Sequence, residues 1–191
     1  MLSSAHKKIS TVAEKAGFMS HLAENRWFAI YTRSHYEKKV VDSLQEAGIE
    51  AWVPLLKTLR QWSDRKKWVE VPLFNSYIFV RIKIRDLRKS LQAEGAVYVV
   101  SFSGRPTPIP DEQIEWLKLL LASSEKFEVS FDEFTFGEPV IVEKGVLRGM
   151  KGKFINYKGK NRVLVQIEAI NQNLLIDINP GFITKMSEVE M

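Results

Sequence analysis

The sequence predicts an α+β chain in two parts: a mixed α/β domain over residues 26–122 and a small five-stranded β-barrel over 135–186. Two observations predict this. From Arg26 onward, runs of aromatic and β-branched residues alternate with helical patterns bounded by capping and stop residues. In the last 55 residues, which hold six of the ten glycines, short β-branched runs recur between glycine turns. Short strands at that spacing close into small barrels.

The elements follow in order. Residues 1–25 carry one aromatic, Phe18, and few large aliphatics. Ile9, Val12, Ala13 and Ala16 share a narrow helical face, but so little apolar surface predicts a mobile extension. Trp27 to Thr32 reads as a strand. Ser34 with Glu37 three residues on has the spacing of a capping box, opening a helix whose face carries Tyr36, Val40, Val41, Leu44 and Ala47. Gly48 supplies its stop. Ile49 to Leu59 reads as a second strand. The basic, tryptophan-bracketed stretch Arg60–Trp68 is the tip of a long hairpin. Tyr77 to Ile82 is apolar enough for a central strand.

Residues 85–94 are compatible with a helix, 96–102 with a strand, and 104–108 with a turn. Pro110, Asp111 and Glu112 open a helix by proline placement and dipole charge. Its buried face is Ile114, Leu117, Leu120 and Leu121. Residues 123–134 lack a period and read as a linker. Runs at 139–142, 153–157, 163–167 and 174–178 supply barrel strands.

Composition then excludes much chemistry. The chain has 191 residues and no cysteine. That removes disulfides, thiol nucleophiles and every Cys-containing metal site. Three histidines, His6, His21 and His35, are too scattered for a metal cage. Phosphate-loop, dinucleotide and zinc-protease motifs are absent. Only His35 lies within a domain, and its neighbour Ser34 is accounted for as a helix cap. The expectation is a non-enzyme without cofactor or metal. No apolar run reaches the roughly 18–20 residues of a membrane helix and no secretory h-region opens the chain, so a cytoplasmic protein with no membrane contact is expected.

The net charge of +5 is unevenly placed. Residues 26–122 hold 16 Lys+Arg against 11 Asp+Glu, whereas residues 123–191 hold 9 against 10. Arg33, Lys38 and Lys39 fall at the first strand end and on the first helix, and Arg65, Lys66 and Lys67 on the hairpin. Basic groups beside aromatics can neutralise phosphates and stack on unpaired bases. A solvated surface is the plainer reading of each cluster. Tyr77 and Phe79 share one strand face, which is either core or a partner site.

Three segments carry a resemblance. Arg26–Tyr31, Val71-Pro72-Leu73-Phe74-Asn75-Ser76-Tyr77-Ile78-Phe79-Val80 and Arg105–Ile109 resemble the N-terminal (NGN) domain of NusG-type transcription elongation factors. Phe136–Val142 with Gly145 and Gly149–Gly152 resembles the KOW motif and its SH3-like barrel. The likeness spans residues 26–185 in the family's order. Its Pro-Leu-Phe wording is nearer the specialised RfaH- and UpxY-type antiterminators of surface-polysaccharide operons, with Asn75-Ser76 where the housekeeping factors have Pro-Gly.

The resemblance implies an NGN-like sandwich, mainly an antiparallel sheet flanked by helices, docked on the clamp helices of RNA polymerase to suppress pausing and termination. Tyr31, Phe74, Tyr77 and Phe79 carry over to that contact. Arg33, His35, Lys38 and Lys39, with Arg65, Lys66 and Lys67, match a face that touches non-template single-stranded DNA in the transcription bubble. The threonine-rich motif of the specialised relatives is absent at residues 86–93. The barrel would recruit a ribosomal protein or a termination factor near Glu168–Asn173, with Ile170 as its exposed apolar residue. The β-rich runs at 163–167 and 174–178 predict a barrel, not the helical form one relative adopts, as the resting state. The implied protein is a monomeric, operon-specific antitermination factor. A general NusG elongation factor, or a KOW-containing RNA-binding protein of translation or the ribosome, are the alternatives.

Overall fold

The computed structural model describes residues 24–61, 65–130, 132 and 136–186. The predicted extension, apart from its last two residues, and the hairpin tip at 62–64 lie outside the described residues.

The first domain is built on an antiparallel sheet. Strand β1 (Asn25–Thr32) lies at its centre, paired to β5 (Tyr77–Lys83) on one side. On its other side are β6 (Ala96–Val99) and the short β9 (Pro108–Ile109). β2 (Glu50–Trp52) pairs with β5 and forms one edge. β3 (Leu55–Gln61) and β4 (Lys66–Pro72) form a separate two-stranded ribbon, and β7 (Ser101–Phe102) with β8 (Arg105–Pro106) a minute hairpin.

Alternation along the strands feeds two cores. Phe28, Ile30, Ile78, Val80 and Ile82 face helix α1 (Glu37–Glu46) and the one-turn helix α2 (Leu87–Ser90). Trp27, Ala29 and Phe79 face the opposite way, toward helix α3 (Asp111–Ala122), which contributes Ile114, Leu117 and Leu120.

The second domain is a sheet in the order β10-β14-β13-β12-β11-β15, antiparallel throughout. Its strands are β10 (Phe127–Ser130), β11 (Glu138–Val142), β12 (Lys151–Tyr157), β13 (Lys160–Ile167), β14 (Gln172–Asp177) and β15 (Ile183–Lys185). β12 runs so close to β13 that a Cβ on Gly152 would sit 2.6 Å from the Leu164 carbonyl oxygen.

The two domains share a core. Val140, Met150, Val163, Val165, Ile167, Leu174 and Ile176 belong to the same apolar cluster as Trp27, Phe79 and the buried face of α3. Between α3 and the inner face of the barrel the remaining space is about 10 Å³, at the lower limit for one water. The contact is close-packed.

Several expectations are corrected. The sheet of the second domain has one strand beyond the predicted five, because β10 arises within the predicted linker 123–134 and pairs with β14. Four residues, Phe-Glu-Val-Ser, are too short to register as alternation, yet Phe127 and Val129 pack on the core. The single strand 49–59 is two, interrupted at Val53-Pro54; Pro54 has no N–H to continue a ladder, and its carbonyl accepts from the Leu73 N–H at 2.8 Å. The helix over 85–94 shrinks to α2 and its preceding 3₁₀ turn. The strand over 96–102 divides into β6 and β7. Ser34 makes no cap: the residue before α1 is Tyr36, with no side-chain cap bond. Ile170 is buried, not exposed, at 4%. It sits in the 3₁₀ turn Glu168–Ile170, which comes against β1 and turns its apolar side chain into the shared core.

Candidate docking and nucleic-acid surfaces

The aromatic face is set by strand register. Tyr31 on β1 lies opposite Tyr77 on β5 and Tyr98 on β6. The Tyr31 and Tyr77 rings meet edge-on, 5.4 Å apart at 78°, and the Tyr31 and Tyr98 rings stack at 5.0 Å and 10°. Such pairs contribute about 0.5–1.5 kcal/mol beyond their burial. Tyr31 and Tyr77 are half-buried and Tyr98 is exposed. Phe74 and Phe79, perpendicular to one another at 6.3 Å, are buried in the core. Trp52, opposite Phe79 in register, packs 5.8 Å from it. Of the four aromatic candidates, the structure therefore leaves two accessible and makes the other two core. Tyr98 was missed by sequence reasoning; its place at i+2 from Ala96 on an edge strand gave no signal until register brought it beside Tyr31.

The turn before β5 is held by Glu37. Its carboxylate, buried at the start of α1, accepts from the Ser76 N–H at 2.8 Å. Ser76 adopts φ 65°, and its carbonyl accepts from the Thr32 N–H at 2.8 Å. Glu37 thus fixes a turn 39 residues away instead of completing a capping box. The turn presents Phe74 inward and Tyr77 at the rim.

Burial raises the Tyr77 phenol above its ordinary value near 10, and the neighbouring Tyr98 and Tyr31 add to the rise. The neutral form is the one this site stabilises. Its contribution is complete below the ordinary tyrosine range and is lost as pH climbs through Tyr77's own, higher range. In an ultraviolet absorbance titration, Tyr77 is expected to ionise later than an ordinary tyrosine. Tyr98→Phe should bring that late step down toward the normal value; an unmoved step would contradict the coupling.

All seven basic candidates are exposed, but they are not equivalent. Lys38 pairs with Glu70 on β4 at 3.2 Å, and Lys39 with Glu94 at 2.7 Å. The Glu94 hydrogen bond holds the Lys39 ammonium above its usual range, and Lys39 in turn lowers Glu94. Arg33 and His35 flank the start of α1, with His35 at φ 68°. On the ribbon, Lys66 pairs in register with Gln61 and Lys67 with Arg60. Lys57, Arg60, Lys66 and Lys67 form no ion pair among the described residues. The structure thus divides the candidates between a partly neutralised helix and a ribbon with surplus charge.

No group of three or more potential metal-ligating side chains occurs among the described residues. No described helix is long and apolar enough to cross a membrane.

Comparison with known proteins bears on this arrangement directly. A family model described as "Transcription termination factor nusG" matches residues 25–118. The transcription termination/antitermination protein NusG of Halalkalibacterium halodurans is 22% identical over 170 residues, 82% of this chain and 89% of that protein. The protein of the same description from Vibrio vulnificus is 22% identical over 184 residues, 88% of this chain and all of the relative. A solved structure of Thermotoga maritima NusG is 21% identical, covers 87% of this chain and 99% of its own, and superposes with a TM-score of 0.48. The sheet domain with its aromatic and basic surfaces, residues 25–118, is thus the part that matches the NusG family of transcription termination factors, and the likeness to NusG proteins extends over most of the chain.

Proposed function

We propose that this chain is a NusG-type, operon-specific antitermination factor that grips the clamp helices of RNA polymerase and suppresses pausing, without catalysing a reaction. The observation that carries the reading is the cross-strand row Tyr77–Tyr31–Tyr98, half open to solvent, with Tyr77 packed against the cluster that holds Phe74 and Phe79. A few aromatics on a rigid sheet are what dominates binding to a helical tip. The basic residues from Arg33 to Lys39, and the ribbon from Arg65 to Lys67, lie on the same domain and supply contact to the non-template strand. Restriction to particular operons is favoured by the Asn75-Ser76 turn, which departs from the housekeeping Pro-Gly and is held by Glu37. The barrel, nearly neutral, serves as the module for a second protein, a ribosomal protein or termination factor.

Retention on immobilised RNA polymerase tests the docking assignment. Tyr31→Ala with Tyr77→Ala is the informative variant, because both rings are partly exposed, whereas Phe79→Ala would empty the core. A hot-spot loss of about 2 kcal/mol or more for the pair together predicts at least about a 30-fold weakening. Unchanged retention, with the fold intact by circular dichroism, would remove the aromatic row from the contact.

A further inference from the structure

The β3–β4 ribbon stands apart from both sheets, and it carries an exposed apolar pair. Leu59 and Trp68 lie opposite one another in register, and Trp68 is 66% exposed. A two-stranded ribbon gains little stability by itself, and an indole 66% exposed buries little of its apolar surface in the fold. Residues that pair share a face, so Leu59 and Trp68 lie with Lys57–Glu70 and Gln61–Lys66. Trp68 also lines an open groove of about 710 Å³ against α1, together with Lys38, Lys57, Lys67, Val69 and Glu70. Three ammonium groups therefore surround one carboxylate there, and Glu70 is already engaged by Lys38 at 3.2 Å.

We infer that the ribbon is a stacking platform for single-stranded nucleic acid: an unpaired base lies on the Trp68 indole, with Leu59 beside it, while Lys57 and Lys66, on the same face of the ribbon, hold the flanking phosphates. Surplus positive charge around an exposed ring selects an anionic polymer with aromatic faces. A duplex fits less well. Its bases are already stacked, and inserting an indole costs a few kcal/mol of unstacking. The inference rests on the nucleic-acid reading of the basic ribbon and assigns to it the residue that holds a base.

The test uses the full chain and an end-labelled oligo-dT strand carrying one 2-aminopurine, read by anisotropy for affinity and by 2-aminopurine emission for stacking. Trp68→Ala is expected to weaken binding about 5- to 150-fold and to abolish the emission change. Trp68→Phe should keep most of both. Lys57→Ala with Lys66→Ala should flatten the salt dependence by about 0.7 per lysine. The matching duplex should not sense Trp68. If Trp68→Ala binds like the wild type while the lysine variants weaken, the stacking platform is refuted and the basic contact stands. If the wild-type chain binds no single strand, both fall. Trp68-dependent sedimentation with anionic phosphatidylserine vesicles, without Trp68-dependent strand binding, would overturn the inference in favour of a membrane surface.

Discussion

Ile170→Asp is expected to lift the barrel off the sheet domain. The native side chain is 4% exposed within the cluster that joins the domains, and its 3₁₀ turn abuts β1. A carboxylate there would be buried without a partner among apolar groups. The cost is several kcal/mol, and separating the domains returns the charge to water. The strand ladders of each domain do not pass through Ile170, so they should persist. Small-angle scattering should show a larger radius of gyration, and hydrogen exchange should quicken in β1. On the docking reading, polymerase retention should also rise, because the core face of the sheet is freed. An unchanged radius with unchanged exchange would refute the role of Ile170 as a joint. Ile170→Val, which keeps the shape, should leave both readouts close to wild type.

Arg162→Ala is expected to cost about 1.5–3 kcal/mol, the range for losing hydrogen bonds to charged groups, since the Glu128 and Asp177 side chains it leaves are 43% and 30% exposed. The Arg162 side chain is only 6% exposed. Its Nη1 donates to Glu128 Oε2 at 2.8 Å, and its Nε lies 2.9 Å from Asp177 Oδ1 with the N–H not aimed along the contact. The hydrogen bond to Glu128, with burial opposing it, raises the guanidinium's already high pKa. Tyr157 places its ring 5.9 Å from the guanidinium carbon. This one side chain fastens β10 to β13 and β14. Urea denaturation should show the midpoint fall, and amide exchange should show β10 opening first, with the Asp177 N–H losing its bond to the Lys126 carbonyl (2.8 Å). Arg162→Met, which replaces the stem without the charge, should not recover the midpoint, since Glu128 and Asp177 remain.

The strongest sequence signals were those set by period over several residues. β1, β5 and α3 follow from continuous or alternating apolar runs, and the buried set Ile114, Leu117 and Leu120 matches the helical spacing read from sequence. Local chemistry was less reliable where a distant partner competed for the same group. Glu37 stands at capping-box spacing from Ser34, but a buried carboxylate gains more from the Ser76 N–H than from a solvent-exposed cap. Ile170 fell in a loop between two strands, where exposure is the usual fate. Only the docking of the barrel on β1 decides otherwise, and no local pattern encodes that contact. The same holds for the site. Tyr31 and Tyr77 were visible as aromatics on strands, but Tyr98 joins them through register alone. That Phe74 and Phe79 are core while Tyr77 is rim depends on α3 and the barrel packing against one face.

α3 carries a further consequence. Leu117 and Leu120 fill the core beneath the sheet and also close the inner face of the barrel, with hardly a void between. A substitution at either position has to suit two sets of neighbours at once. The helix therefore couples the domains in their divergence: neither can drift freely in its packing residues while the other stands still. The exposed ribbon, which shares no such obligation beyond its base, is where the chain is free to acquire a new recognition preference.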